Sequence, residues 1–231
     1  MKVSDYIQIL NIKNERFDLE LDRSLSMLSI YLDKDLEEIE DLPINEANKF
    51  IYEMQSFLSR EFKQGNSIPH EKLTLGNFID LETYLQKPED LTKCIAILFR
   101  KQKLNEWEHI TFEPVEFDIV ERANEYLENE IETYLGSLNN YVKFRIHIVD
   151  TYKSIFGLDK DETELETDGL NAGEIKELEI EEQKRKEKSQ YSWENFVYWL
   201  AGEDLTKVET ILNFPILYAL NMASMKKVYE N

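Results

Sequence analysis

Apolar residues recur at helical spacing along most of this chain. In residues 20–32 they recur every three or four positions, as in an amphipathic helix: Leu21, Leu25, Met27, Leu28 and Leu32. A second stripe of this kind predicts a helix from Asn45 to about Phe62: Phe50, Ile51, Met54, Phe57 and Leu58. Between them, Asp33 is expected to cap a short turn over 34–41, which Pro43 stops.

Further helices are predicted over 77–86 and 89–103, with Pro88 suited to the first turn of the second. Residues 117–156 contain no proline and predict either two helices that meet near 128–130 or one long kinked helix. The only extended piece expected is a short β-hairpin near 68–75. The chain has just 7 glycines and 5 prolines, which argues against the frequent turns of β-sandwiches and barrels. We therefore expect an all-α fold, an irregular multi-helix domain followed by a C-terminal helical segment.

A change of composition divides the chain. Residues 159–182 are dominated by aspartate and glutamate, with Lys160 and Lys176 as the only basic residues. A block of like charge without aromatic residues is typical of a solvated linker or a mobile hairpin. We therefore predict a helical main domain over 1–157, an acidic linker over 158–189 and a C-terminal three-helix segment over 190–231. The three helices are expected over 192–201, capped by Ser192 and closed by Gly202, over 205–212, and over 214–229, with Pro215 in its first turn.

The charge balance limits the partners. The chain has 27 basic and 47 acidic residues, a net charge of −20, which repels nucleic acid backbones and anionic lipid headgroups. We expect no direct nucleic-acid binding and no membrane association. The charge serves solubility, or it lets the chain dock as an acidic mimic on basic protein surfaces. No apolar stretch reaches the length of a membrane-spanning helix and the N-terminus lacks a signal-peptide core, so a cytoplasmic location is expected.

Residues that support catalysis or metal binding are sparse. The chain has 3 histidines, at 70, 109 and 147, and none has another histidine at ligand spacing. His147 lies in an apolar stretch and is expected in a core or interface. A calcium loop over 159–169 is rejected because Glu164 stands where glycine is required. Cys94, the only cysteine, is expected to be a buried thiol. We therefore predict no catalytic residue, no cofactor, no metal site and no enzymatic activity.

The C-terminal segment concentrates bulky apolar groups within eight residues. A helix cannot leave all of them in water, because burying each aromatic side chain is worth roughly 2–3 kcal/mol. They either complete the core of the main domain or form a partner groove or self-association seam. The candidate partner-binding residues are Trp193, Phe196, Trp199 and Leu200.

Two stretches carry a resemblance to a known family. The first, residues 25–47, reads LSMLSIYLDKDLEEIEDLPINEA, and the second, residues 73–82, reads LTLGNFIDLE. Their order is similar to that in tail-assembly-chaperone-like proteins of double-stranded DNA phages. Those proteins have an apolar helix, an acidic turn ending in Leu-Pro, a second helix, and then a segment like residues 73–82. The resemblance covers roughly residues 20–100 and extends loosely to residues 193–207.

The resemblance implies a non-catalytic role in phage virion assembly, through binding to other virion or tail proteins in the cytoplasm of the host cell. It brings no catalytic residue with it. The chain is long for such a chaperone, and the acidic linker and C-terminal segment are not explained by that role. The alternative is a structural or cargo component packaged in the phage particle, in the head, the tail or the head–tail junction.

Overall fold

Helices dominate the structure, a computed structural model that describes residues 1–17, 19–100, 102–104, 110–112, 119–156 and 192–230. In 102–104 and 110–112 it describes the backbone alone. The predicted all-α fold is confirmed, with 11 α-helices in these ranges. They are α1 Val3–Asn14, α2 Glu20–Leu32, α3 Leu36–Glu40, α4 Ile44–Ser59, α5 Leu75–Tyr84, α6 Leu91–Leu98, α7 Ile119–Asn124, α8 Glu132–Thr151, α9 Ser192–Leu200, α10 Val208–Leu212 and α11 Ile216–Glu230.

The first predicted helix pair forms as expected, with one difference at the connection. Helix α2 spans the predicted range, and Leu28, in its apolar stripe, is fully buried. Asp33 does not cap the next turn. It ends α2 in the left-handed conformation, with φ at 52°, which short polar side chains adopt more readily than most. The acidic turn forms helix α3. Asp35 is its N-cap residue, and Ile39 is the buried residue of this helix.

The hairpin lies elsewhere than predicted. Residues 68–75 hold a 3-10 turn, His70–Lys72, and no paired strands. The antiparallel pair is instead β1 Gln102–Leu104 with β2 Ile110–Phe112, in the register Gln102↔Phe112. The helix predicted over 89–103 is correspondingly shorter: a 3-10 turn, Pro88–Asp90, leads into α6, which ends at Leu98.

Two compact units divide the described chain. The first unit comprises Met1–Pro69 and Asp80–Lys143, and the second comprises His70–Ile79 and Phe144–Asn231. Residues 158–189 lie outside the described residues, so the acidic linker and the three-part linear division stay predictions.

In the first unit, α1 packs against α2, α2 against α3 and α4, and α6 against α7. Helix α1, which the sequence analysis did not predict, is fixed by backbone bonds to distant residues. The Val3 N–H donates to the Asn129 carbonyl at 2.9 Å and the Ser4 N–H to the Leu127 carbonyl at 3.0 Å. Its buried residue Ile9 joins Met27 and Met54 in one apolar cluster.

A close backbone approach holds a loop of the first unit against α8. A Cβ atom added to Gly136 would lie 1.9 Å from the carbonyl oxygen of Lys63, well inside van der Waals contact. One residue on, the buried Ser137 hydroxyl accepts a hydrogen bond from the Gly65 N–H at 3.0 Å. Position 136 therefore requires glycine for space.

The second unit is organised around the short segment before α5. The Leu75 N–H donates to the Phe214 carbonyl at 2.8 Å, and the Ile216 N–H donates to the Leu73 carbonyl at 2.9 Å. Helix α9 contacts α10 and α11. The core of this unit consists of fully or almost fully buried apolar side chains: Leu73, Leu75, Phe78, Ile148, Val197, Leu200, Ala201, Ile211, Ile216, Ala219, Leu220 and Ala223. This packing positions the C-terminal aromatic residues.

Candidate functional site

Helix α9 carries all four candidate partner-binding residues, and its end is fixed by a capping motif. Gly202 adopts a left-handed conformation, with φ at 70°. Its N–H donates to the Trp199 carbonyl at 3.0 Å, and the Glu203 N–H donates to the Tyr198 carbonyl at 3.0 Å. This pair of bonds is the Schellman arrangement, which satisfies the last carbonyl groups of the helix. The sequence prediction that Gly202 closes this helix is confirmed.

Trp193 lies at the centre of an aromatic cluster. Its ring centroid is 5.7 Å from that of Phe78, 5.9 Å from that of Phe156 and 5.8 Å from that of Phe196. All three pairs are edge-to-face, the geometry that aromatic quadrupoles favour. Phe78 is fully buried. Trp193 therefore anchors α9 to the core of the second unit.

Trp199 lies at the end of this aromatic row and is held by charged side chains of α11. Its indole N–H donates to Oε2 of Glu230 at 2.9 Å. The Lys226 ammonium group lies 4.8 Å from the ring centroid of Trp199, forms an ion pair with Glu230 at 3.7 Å and donates to the Trp199 carbonyl. Trp199 is half-buried. The tilted ring of Phe196 is 6.1 Å away.

The structure thus brings the four predicted residues together but gives them different surroundings. Leu200 is buried, whereas Trp193, Phe196 and Trp199 are half-buried. Their role as partner contacts stays a prediction.

A larger apolar surface of the second unit was not singled out from the sequence. Its exposed side chains all lie on α11: Tyr218, Met225, Val228 and Tyr229. The opposite face of this helix is buried through Ile216, Ala219, Leu220 and Ala223. A helix with apolar residues on two opposite faces normally has both faces covered. The presence of apolar residues on both faces of α11 could have been seen in the sequence, and it marks this helix as the strongest candidate contact surface.

The first unit contains a groove of about 300 Å³. Its floor is apolar, and its rim carries Lys13 and the Arg23–Glu20 pair. The Arg23 guanidinium donates to Oε2 of Glu20 at 2.8 Å and to the Glu15 carbonyl at 3.2 Å. The lining residues are Lys13, Glu20, Arg23, Ser24, Met27, Met54, Gln55, Leu58 and Ser59.

The titratable residues named in the sequence have distinct environments. His70 is buried against Phe144, with ring centroids 5.4 Å apart, and this burial lowers the pKa of the imidazole, partly opposed by Glu71. Cys94 is fully buried, which raises the pKa of its thiol to about 12, so it is an unreactive core residue as predicted. His147 is exposed on α8, so it is not the core residue that was one of its two predicted roles, and its role at an interface stays a prediction. His109 lies outside the described residues.

Neither a metal-binding cluster nor a membrane-spanning helix is found in the part of the chain that the structure describes. Within it, no group of three or more His, Cys, Asp or Glu side chains is arranged to hold a metal ion. Among its helices, none combines the length and the apolar character that crossing a membrane requires.

Comparisons with protein families, with curated proteins and with solved structures find no match to this chain.

Proposed function

We propose that this chain is a non-catalytic interaction protein in phage virion assembly, with a role like that of a tail-assembly chaperone. Its partners are other virion or tail proteins, and it acts in the cytoplasm of the host cell. The observation that carries the interaction role is the uncovered apolar surface of the second unit. Exposed apolar groups concentrated on one surface mark sites of protein contact.

The second support is the arrangement of the two resemblance stretches. Residues 25–47 lie on the end of α2, on α3 and on the start of α4, so they form a helix, a short acidic turn and a second helix. Residues 73–82 lie on the segment before α5 and on most of that helix. The proposal rests on the resemblance of these two stretches, and their helices are compatible with it.

The charge of the chain suits such a role. A net charge of −20 keeps it from binding the genome that fills the assembling particle. The same charge steers it towards basic protein surfaces and raises association rates, more strongly at low salt. An assembly factor needs both properties, since it must find a protein partner in the presence of concentrated DNA.

Affinity capture from infected cells tests this proposal. Antibody against the full chain is expected to recover one or more virion or tail proteins of the same phage, identified by mass spectrometry. Phe196→Ala should reduce this recovery if α9 contributes, whereas Tyr52→Ala, an exposed residue of α4 in the first unit, should not. Recovery of no virion protein under mild, low-salt conditions contradicts the proposal.

A packaged structural or cargo component is the second candidate. The acidic residues of 158–189 favour it, because a chaperone role leaves this stretch unexplained. The two candidates differ in stoichiometry. Purified virions should lack a chaperone and should contain a packaged component at a fixed copy number.

A further inference from the structure

The outer face of α11 has the spacing of a coiled-coil seam. Tyr218, Met222, Met225 and Tyr229 follow one another at intervals of four, three and four residues, the alternation of the a and d positions of a heptad. On a helix of 3.6 residues per turn these four side chains form one stripe. It lies opposite the buried stripe of Ile216, Ala219, Leu220 and Ala223. The stripe spans less than two heptads, and a narrow apolar stripe of this kind is suited to packing against one further helix.

The order of residues in the stripe identifies that helix. Read in either direction, the stripe is Tyr, Met, Met, Tyr. When two copies of α11 lie antiparallel about a two-fold axis, Tyr218 faces Tyr229 of the second copy and Met222 faces Met225. Every contact is then made twice, as a two-fold interface requires. Methionine and tyrosine side chains also pack favourably against one another.

The charges along the stripe permit this pairing although each chain carries −20. None of the four stripe positions is charged. Of the flanking positions, Ala219 and Asn221, Val228 and Lys226, only Lys226 carries a charge. The four facing positions are therefore uncharged, and Lys226 beside them is ion-paired with Glu230 of its own helix at 3.7 Å.

The exposed area is near the minimum that a specific dimer needs. The exposed fractions are 54% for Tyr218, 60% for Met225 and 84% for Tyr229 of the stripe, and 74% for Val228 beside it. With roughly 200 Å² for a large side chain, these four residues expose about 500 Å² per chain. Complete burial in two copies would remove at most about 1,000 Å² from water, the lower bound for a specific interface. This area fits a reversible dimer.

We infer that the outer face of α11 is a self-association seam, through which two copies of this chain pair as antiparallel helices about a two-fold axis. The inference does not rest on the virion role. It concerns the full chain in solution and would hold for any biological function.

Analytical ultracentrifugation of the full chain over a wide concentration range tests the pairing. A monomer–dimer equilibrium is expected for the wild type. Tyr229→Glu is expected to weaken the dimer at least tenfold, because it places two carboxylates in the seam. Tyr52→Glu is the matched control: Tyr52 is 73% exposed on α4, outside the stripe, and its substitution should leave the dimer unchanged. Circular dichroism should give the same helix content for all three proteins.

Salt dependence and cross-linking test the mode of pairing. Raising the salt from about 0.1 M to about 1 M should strengthen the dimer, because it screens the repulsion between two acidic chains around an uncharged seam. Under oxidation, Met222→Cys chains mixed with Met225→Cys chains should cross-link more than either variant alone. The buried Cys94 thiol does not compete.

Several results would overturn the inference. The first is that the chain is monomeric at all concentrations. The second is that Tyr229→Glu leaves the dimer intact or that Tyr52→Glu disrupts it. The third is that the dimer weakens as salt is added. Strongest cross-linking of a single variant with itself would indicate parallel helices and overturn the two-fold arrangement. Loss of virion-protein capture on Tyr229→Glu in a strictly monomeric chain would assign the face to another partner instead.

Discussion

Replacing each of the two tryptophans of α9 by alanine separates a core anchor from a rim contact. The pair is matched, since both residues are half-buried tryptophans of one helix. Trp193→Ala removes three edge-to-face ring contacts, with Phe78, Phe156 and Phe196. Trp→Ala changes in cores cost about 3–5 kcal/mol of unfolding free energy. Because Trp193 retains some exposure, we expect about 2–4 kcal/mol.

Trp199→Ala removes less packing, namely one tilted ring contact, one hydrogen bond to Glu230 and the contact with the Lys226 ammonium group. The bond to Glu230 is exposed, so we expect a loss of about 1–2 kcal/mol in total.

Thermal unfolding of the full chain, followed by circular dichroism, measures both variants. For a domain of this size each kcal/mol lowers the Tm by about 2–4 °C. Trp193→Ala should therefore lower the Tm clearly more than Trp199→Ala does. Equal shifts, or a larger shift for Trp199→Ala, would refute the assignment of Trp193 as the anchor of α9.

Three further predictions follow from other features. Gly136→Ala should destabilise the chain by about 1–3 kcal/mol, because the added Cβ would meet the Lys63 carbonyl, although alanine favours helices over glycine by about 1 kcal/mol. Asn139→Ala, on the exposed face of α8, is the control. A gain in stability from Gly136→Ala would contradict the close approach. The Cys94 thiol should react with iodoacetamide far more slowly in the native chain than in guanidinium, and equal rates would refute its burial. Burial lowers the pKa of His70, so the unfolded chain binds a proton more readily. Stability should therefore decline as the pH falls through the unfolded pKa of about 6.5 and level off below the folded pKa. His70→Phe should remove this part of the decline, and an unchanged pH profile would contradict it.

The sequence predicted the elements whose structure is set locally. The spacing of apolar residues was sufficient for α2, and Gly202 was sufficient for the end of α9, because both signals act within a few residues. Residues 117–156 left two readings open, and the structure has two helices, α7 and α8.

The errors arose where distant residues decide or where a clear local signal is missing. Helix α1 begins at Val3 through backbone bonds to residues near 127–130, which no local pattern reveals. The helix predicted over 89–103 ends early because its last residues pair as a strand with Ile110–Phe112. This hairpin is local, but residues 105–109 between its strands lack the Asn-Gly or Asp-Gly pair that most clearly signals a hairpin in a sequence.

The candidate site was predictable in part. The aromatic row of α9 was found from composition, but which ring serves the core depends on Phe78 and Phe156, far away in the sequence. On α11 the sizes of the apolar residues distinguish the inner face from the outer face. Its inner face is lined by the small residues Ala219 and Ala223, whereas Tyr218 and Tyr229 point outwards. Hydrophobic periodicity alone assigns every apolar residue to the inside and misses this distinction.

Quantitative mass spectrometry tests the central claim, a role in virion assembly, most directly. Complexes captured with the full chain from infected cells would be compared with purified virions of the same phage. The account predicts that a virion or tail protein is recovered with the chain in a fixed ratio, while the chain itself is absent from mature virions. A fixed copy number in the virion would favour the packaged component instead. Recovery of no virion protein, together with absence from the particle, would contradict the claim.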